Sequence, residues 1–127
     1  MNNLRVRHYF DASHQLTDGP DLVTKACARL HGHTYAVIVD ASSSTLNSAG
    51  MVIDFKAIKK AIDKLDHRHV NDVFKQSNVT VQPTAENIAI FIAQEVMALG
   101  VQVERVSVCE GYKGENRASW ATYRPEL

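Results

Sequence analysis

Residues 4–14 alternate apolar and polar positions with the period of two that is typical of a β-strand, so the even-numbered side chains share one face. Residues 33–41 are rich in Val, Ile and Tyr and predict a second strand. Between these strands, residues 15–26 contain an Asp-Gly-Pro sequence and predict a loop. Residues 101–110 predict a third strand, and residues 118–123 predict a short fourth strand after a Gly-rich turn.

Two segments have apolar positions with the spacing of an amphipathic helix. The first begins near Asp54, a residue type that often caps helices, and its apolar face holds Phe55, Ile58, Ile62 and Leu65. The second is capped by Thr84 and stopped by Gly100. Residues 66–82, between the helices, are expected to be irregular. The order β-β-α-α-β-β predicts an α+β domain with an antiparallel sheet.

The predicted helices can cover only one face of such a sheet. The second strand is apolar at four successive positions, 36–39, so it places apolar side chains on both faces. Because this surface needs a cover, we expect a homo-oligomer in which sheets join or stack.

Composition narrows the class of protein. The 127 residues predict one domain, 1–127, and 14 acidic residues balance 14 basic ones, which argues against partners such as nucleic acid or a membrane surface. No apolar run is long enough to cross a bilayer, and the first residues lack the pattern of a signal peptide. Two cysteines predict reduced thiols rather than a disulfide framework. We therefore expect a cytoplasmic protein.

Candidate chemistry begins with the sequence CARLHGH, residues 27–33. On an extended strand His31 and His33 point to the same side, and His14 joins them if the first two strands are antiparallel neighbours. Three imidazoles suit zinc and leave its fourth position for water or a substrate. The alternative is that these histidines lie at the surface or at strand ends and never meet.

Two further groups could move protons. Cys27 precedes the predicted metal-binding strand, where nearby positive charge could lower the pKa of its thiol and make it a base or nucleophile. It could instead be a fourth zinc ligand that closes the site. Asp66 and His67 are neighbours, and the carboxylate could orient the imidazole for proton transfer. Asp and His are also ordinary residues at the end of a helix.

Glu110 ends the third strand in phase with apolar residues, where a carboxylate is costly unless it is paired. It could accept two parallel hydrogen bonds from a guanidine-like edge, such as that of a pterin or guanine ring. The alternative is a salt bridge with Arg117 or Lys113.

Six short sequences carry a resemblance over nearly the whole chain: FDASH, CARLHGH, MVIDF, LDHRHVND, PTAEN and VCEG. Their order and spacing resemble the 6-pyruvoyltetrahydropterin synthase / 6-carboxytetrahydropterin synthase family. The resemblance implies the tunnelling fold (T-fold), a four-stranded antiparallel sheet with two helices on one face. It also implies trimers whose sheets form a barrel, two of which stack into a hexamer with active sites between subunits.

The resemblance assigns roles to seven residues of this chain. They are the zinc ligands His14, His31 and His33, the catalytic base Cys27, the acid–base pair Asp66 and His67, and the pterin-anchoring Glu110.

The implied substrate is 7,8-dihydroneopterin triphosphate, and the implied enzyme is a zinc-dependent lyase. Three residues separate Cys27 from His31, as is usual in the 6-carboxytetrahydropterin synthases of the queuosine (7-deazaguanine) pathway, which release acetaldehyde and triphosphate. The pyruvoyl branch, which eliminates triphosphate, typically has a longer gap. A zinc hydrolase and a non-catalytic pterin binder on the same fold are two further functions that these residues allow.

The chain departs from the family pattern directly after Glu110. The family usually has Thr or Ser followed by a short turn, whereas here Gly111 opens the longer connection GYKGENRASW. This departure leaves the substrate contacts near Glu110 open. Four cations are candidates for binding the triphosphate: Lys25, Arg29, Lys113 and Arg117.

Overall fold

The computed structural model describes residues 1–17 and 28–126. Two long strands, β1 (Asn2–His14) and β2 (His31–Ser43), pair antiparallel along their whole length, with Asn2 opposite Ser43 and His14 opposite His31. The second strand therefore begins two residues earlier than the sequence predicts. Within this extension, a Cβ atom at Gly32 would make an ordinary van der Waals contact of 3.5 Å with the carbonyl oxygen of Ala12.

Three shorter strands complete the sheet. β4 (Gln102–Glu110) pairs antiparallel with β2, and β5 (Ala121–Tyr123) pairs antiparallel with β4. β3 (Arg68–His69) pairs parallel with β1, which gives the order β3-β1-β2-β4-β5. The predicted sheet had four strands. A two-residue strand is too short to show an alternating pattern, so the sequence could not reveal β3.

Three helices accompany the sheet. In α1 (Phe55–Ile62) the Asp54 side chain accepts a hydrogen bond from the Lys56 amide at 2.9 Å, as its capping role predicts. Thr84 similarly caps the helix α3 (Ala85–Met97). The prediction that residues 66–82 are irregular is wrong, because they contain β3 and the helix α2 (Val70–Gln76). The seven residues of α2 are too few for a clear helical period.

The helices pack on one face of the sheet. Even-numbered residues of β1 such as Val6 and Phe10 join alternate residues of β2 and the inner sides of the helices in one apolar core. The opposite face of β1 carries exposed side chains, among them Arg5, Arg7 and Tyr9. The predicted α+β class is confirmed. None of the helices in the described parts of the chain is long and apolar enough to cross a membrane.

Candidate metal centre and active site

The structure brings together His14, His31 and His33. His14 and His31 face each other across the β1–β2 pair, and His33 follows two residues later on the same side of β2. One ring nitrogen from each histidine lies within 4.8 Å of the other two, and the ring centroids are 4.5 to 5.1 Å apart. Strand alternation and strand pairing together therefore build the cluster predicted from the sequence.

Backbone carbonyl groups orient two of the three rings. His14 Nδ1 donates to the carbonyl oxygen of Pro83 at 2.8 Å, and His31 Nδ1 donates to that of Arg29 at 2.6 Å. A carbonyl only accepts hydrogen bonds, so each contact places a proton on Nδ1 and, in the neutral ring, leaves Nε2 with a free lone pair. This arrangement fixes the tautomer that a metal ion bound through Nε2 needs.

The buried nitrogen atoms fit a bound cation. His14 is 1% exposed, and Nε2 of both His14 and His33 is buried without a hydrogen-bond partner among residues 1–17 and 28–126. Leaving such an atom unpaired is costly. Burial also lowers the pKa of both rings and so favours their neutral, metal-binding form. These three residues could therefore hold a metal ion.

Glu110 lies beside this cluster. It stands opposite Tyr35 in the β2–β4 pair, and its Oε2 atom is 3.9 Å from His14 Nε2. Its side chain is 44% exposed, so it can still meet a ligand. The alternative salt bridge with Lys113 or Arg117 is absent among the described residues. The carboxylate is thus placed between the histidines and solvent.

Asp66 and His67 form a second polar cluster at the edge of β1. One carboxylate oxygen of Asp66 accepts from the Asp11 amide at 3.0 Å, and the other is 2.9 Å from His67 Nδ1. The His67 amide donates to the Asp11 carbonyl oxygen at 2.6 Å. The hydrogen bond that His67 donates to the Asp66 carboxylate raises the pKa of His67 and so favours its charged form.

The two clusters are separate within one chain. His67 groups with Asp11 and Asp66, and Asp11 lies on the opposite face of β1 from His14. His33 and His67 border the same shallow depression, but the His67 ring nitrogen is not among those that gather with His14. The two clusters therefore adjoin one depression without sharing a single group of converging ligand atoms.

Cys27 and Lys25 lie outside the described residues.

Sequence reasoning missed three features of the site: the orienting carbonyl of Pro83, the Asp11 backbone that anchors Asp66, and the buried Tyr35 hydroxyl beside the histidines. The first two are backbone groups, which carry no signature in a sequence. The tyrosine follows His33 by two residues, so strand alternation could have placed it on the same face.

Comparison with known proteins identifies the family to which this chain is similar. The family model for 6-pyruvoyl tetrahydropterin synthase matches residues 3–126. The 6-carboxy-5,6,7,8-tetrahydropterin synthase of Bacillus subtilis is 32% identical over 105 residues, which cover 80% of this chain and 72% of that protein. The protein of the same name from Synechocystis sp. is 33% identical over 109 residues, with coverage of 79% and 81%.

The structure of Caenorhabditis elegans 6-pyruvoyl tetrahydropterin synthase shares the fold. It superposes with a TM-score of 0.66 at 23% identity and covers 98% of this chain and 96% of the nematode chain. The expected tunnelling fold is confirmed, with a fifth short strand in this chain. Because the family model matches nearly the full length of this chain, the chain belongs to the 6-pyruvoyl tetrahydropterin synthase family of enzymes.

Proposed function

We propose that this protein is a zinc-dependent 6-carboxy-5,6,7,8-tetrahydropterin synthase of the queuosine (7-deazaguanine) pathway. It converts 7,8-dihydroneopterin triphosphate and water into 6-carboxytetrahydropterin, acetaldehyde and triphosphate. The observation that carries this proposal is the group of three converging imidazoles, two of them with a buried and unpaired Nε2 atom. The relatives named above support the choice of reaction.

His14, His31 and His33 are the residues that hold the metal. When bound to three protein ligands, a zinc ion supplies Lewis acidity to oxygen atoms of the substrate side chain and makes an adjacent C–H bond more acidic. Glu110 accepts hydrogen bonds from the guanidine-like edge of the pterin ring and so orients the side chain toward the histidines.

Proton transfer falls to Cys27 and His67. The Cys27 thiolate removes a proton from a carbon of the side chain, and protonated His67 returns a proton at another atom. Asp66 keeps His67 charged and oriented. Loss of triphosphate and cleavage of a carbon–carbon bond then release acetaldehyde. The three-residue gap between Cys27 and His31 supports this carboxy branch over the pyruvoyl branch.

Active sites shared between subunits are what the family resemblance implies, and they are compatible with a His67 ring that does not gather with the three histidines of its own chain. In a hexamer of two stacked trimers, His67 of one chain meets the histidine cluster of another. The apolar side chains Ala36, Ile38 and Cys109 on the sheet face away from the helices support an assembly in which several sheets join.

The direct test is to incubate zinc-loaded protein with 7,8-dihydroneopterin triphosphate and to identify the products by mass spectrometry. We expect acetaldehyde and a carboxylated pterin. A pyruvoyl pterin would assign the protein to the other branch. Absence of turnover, together with absence of zinc in protein purified without a chelator, would favour a non-catalytic binder.

A further inference from the structure

Hydrogen bonds to β1 and β2 hold the connection between β4 and β5 in a defined conformation. The Tyr112 amide donates to the carbonyl oxygen of Thr34 at 2.9 Å, which ties the connection to β2. The Glu115 carboxylate accepts from the Arg7 guanidinium at 2.6 Å and from the Tyr112 hydroxyl at 3.1 Å. Arg7 also lies 5.8 Å from the centre of the Trp120 ring. These contacts hold residues 111–120, which we call the insertion loop, against β1 and β2.

Two cations of the insertion loop face a cavity. Lys113 and Arg117 line it together with Gly32, His33 and Thr34 of β2, and no carboxylate of the described residues lines it. Neither side chain forms an ion pair or a side-chain hydrogen bond with any residue that the structure describes. Their charges are therefore available to a ligand.

Another basic cavity of the same chain shows the contrast. Arg5 and Arg105 both donate to Asp40, and Glu104 lines the same depression. Asp40 there pairs with two of the three guanidinium groups that line the depression, and Arg124 is the third. The cavity beneath Lys113 and Arg117 lacks such compensation from the described residues, which is the expected condition of an anion site.

The cavity reaches the histidine cluster. It borders His33, and a Cβ atom at Gly111 would lie 3.5 Å from His33 Nδ1, so the insertion loop starts against that ring. Gly111 has a φ of +67°, a conformation that favours glycine. A ligand bound near the three histidines can thus extend into contact with both cations.

We propose that Lys113 and Arg117 form a polyanion subsite that holds the triphosphate of the substrate. The identity of the substrate rests on the proposed function, whereas the affinity for a polyphosphate follows from the loop itself. Arg117 can donate two parallel hydrogen bonds to phosphate oxygens, and Lys113 adds a point charge. The two cations also stabilise the negative charge on the triphosphate as its bond to carbon breaks. Of the candidate cations that the structure describes, Lys113 and Arg117 line this cavity and Arg29 does not.

Binding of inorganic tripolyphosphate tests the subsite without metal or turnover. Isothermal titration calorimetry should show binding to the wild-type protein and a Kd at least about tenfold higher for the double variant Lys113→Ala, Arg117→Ala. The matched control is Lys56→Ala, Lys59→Ala, which removes two exposed cations from α1 and should leave the Kd unchanged. No binding to the wild type, or equal binding to the double variant, would overturn the proposal.

Steady-state kinetics gives a second readout. The double variant should raise the KM for 7,8-dihydroneopterin triphosphate about tenfold or more, while its Kd for unphosphorylated 7,8-dihydroneopterin stays at the wild-type value. Lys113→Arg should keep most of the affinity because it keeps the charge. An unchanged KM in an active double variant contradicts the subsite alone. A wild-type protein that binds tripolyphosphate but forms no carboxylated pterin contradicts the proposed function alone.

Discussion

The three-histidine cluster and the Asp66–His67 cluster of this chain occupy opposite environments. His14 is 1% exposed and its Nε2 atom has no hydrogen-bond partner in the described residues. The His67 side chain is 80% exposed and its Nδ1 atom is paired with Asp66. Burial lowers the pKa of His14, and the carboxylate raises that of His67. The same residue type thus occupies two environments that favour opposite charge states of the imidazole.

The difference shows how the fold selects chemistry. A neutral imidazole with a free lone pair is a metal ligand, and a charged imidazole at the surface is a proton donor. The paired strands β1 and β2 supply the buried environment of His14, and a turn at the edge of the sheet supplies the exposed environment of His67. The backbone at the turn is also unusual, because His67 has a φ of +57°. Non-glycine residues seldom adopt this conformation, and histidine is one of the few that does so more often than most.

The largest expected effect comes from removing a buried imidazole. His33→Ala should lose bound zinc, because two nitrogen ligands cannot hold the ion in competition with water. Activity should fall by more than the roughly 100-fold that loss of an outer hydrogen-bond partner can cost. Metal analysis and turnover measurements check this prediction. A His33→Ala protein with a full complement of zinc would contradict the assignment of the cluster.

Replacing Cys27 should lower the activity without changing the amount of bound zinc. Cys27→Ala should reduce kcat by about 10²- to 10⁴-fold, the usual contribution of a catalytic base, and leave the zinc content unchanged. Loss of zinc from this variant would indicate a closed site with a sulfur ligand. Full activity in Cys27→Ala, with activity lost in His31→Ala, would instead indicate a zinc hydrolase.

His67 should be separable from both folding and metal binding. His67→Asn keeps a residue that tolerates a positive φ, so the Tm and the zinc content should stay close to those of the wild type. The kcat should fall about 10²-fold or more because the proton donor is absent. Thermal unfolding and kinetics on the same sample separate the two effects, and an unchanged kcat would remove His67 from the mechanism.

Asp66→Asn should have the smallest effect, with a characteristic dependence on pH. The wild-type carboxylate raises the pKa of His67, so the protonated donor persists to higher pH than it does in the variant. Activity that needs protonated His67 declines as the pH rises through that pKa. The alkaline limb of the kcat profile, measured from about pH 6 to pH 9, should therefore move to lower pH in Asp66→Asn. If the alkaline limb did not move, a group other than His67 would control the activity at high pH.

The site could be predicted where it depends on local periodicity. His31 and His33 share a side because they are two residues apart on a strand, and His14 ends a neighbouring strand. The caps Asp54 and Thr84 were equally local, and both form hydrogen bonds as expected. Cys27 stays a prediction because it lies outside the described residues.

Other features depend on contacts between distant segments. The position of His67 is set by Asp11, whose amide and carbonyl groups both bind the turn after α1. The tautomer of His14 is set by Pro83, 69 residues away along the chain. The strand β3 forms only because it lies against β1. No periodic pattern in the sequence encodes such contacts.

X-ray absorption at the zinc edge tests the central claim most directly. For the zinc-loaded protein we predict a first shell of nitrogen and oxygen atoms at about 2.0–2.1 Å, with three imidazoles and one exchangeable ligand. The spectrum should change when 7,8-dihydroneopterin triphosphate or a non-reactive pterin is added. A sulfur atom at about 2.3 Å would contradict an open site, because Cys27 would then occupy the position that the substrate needs.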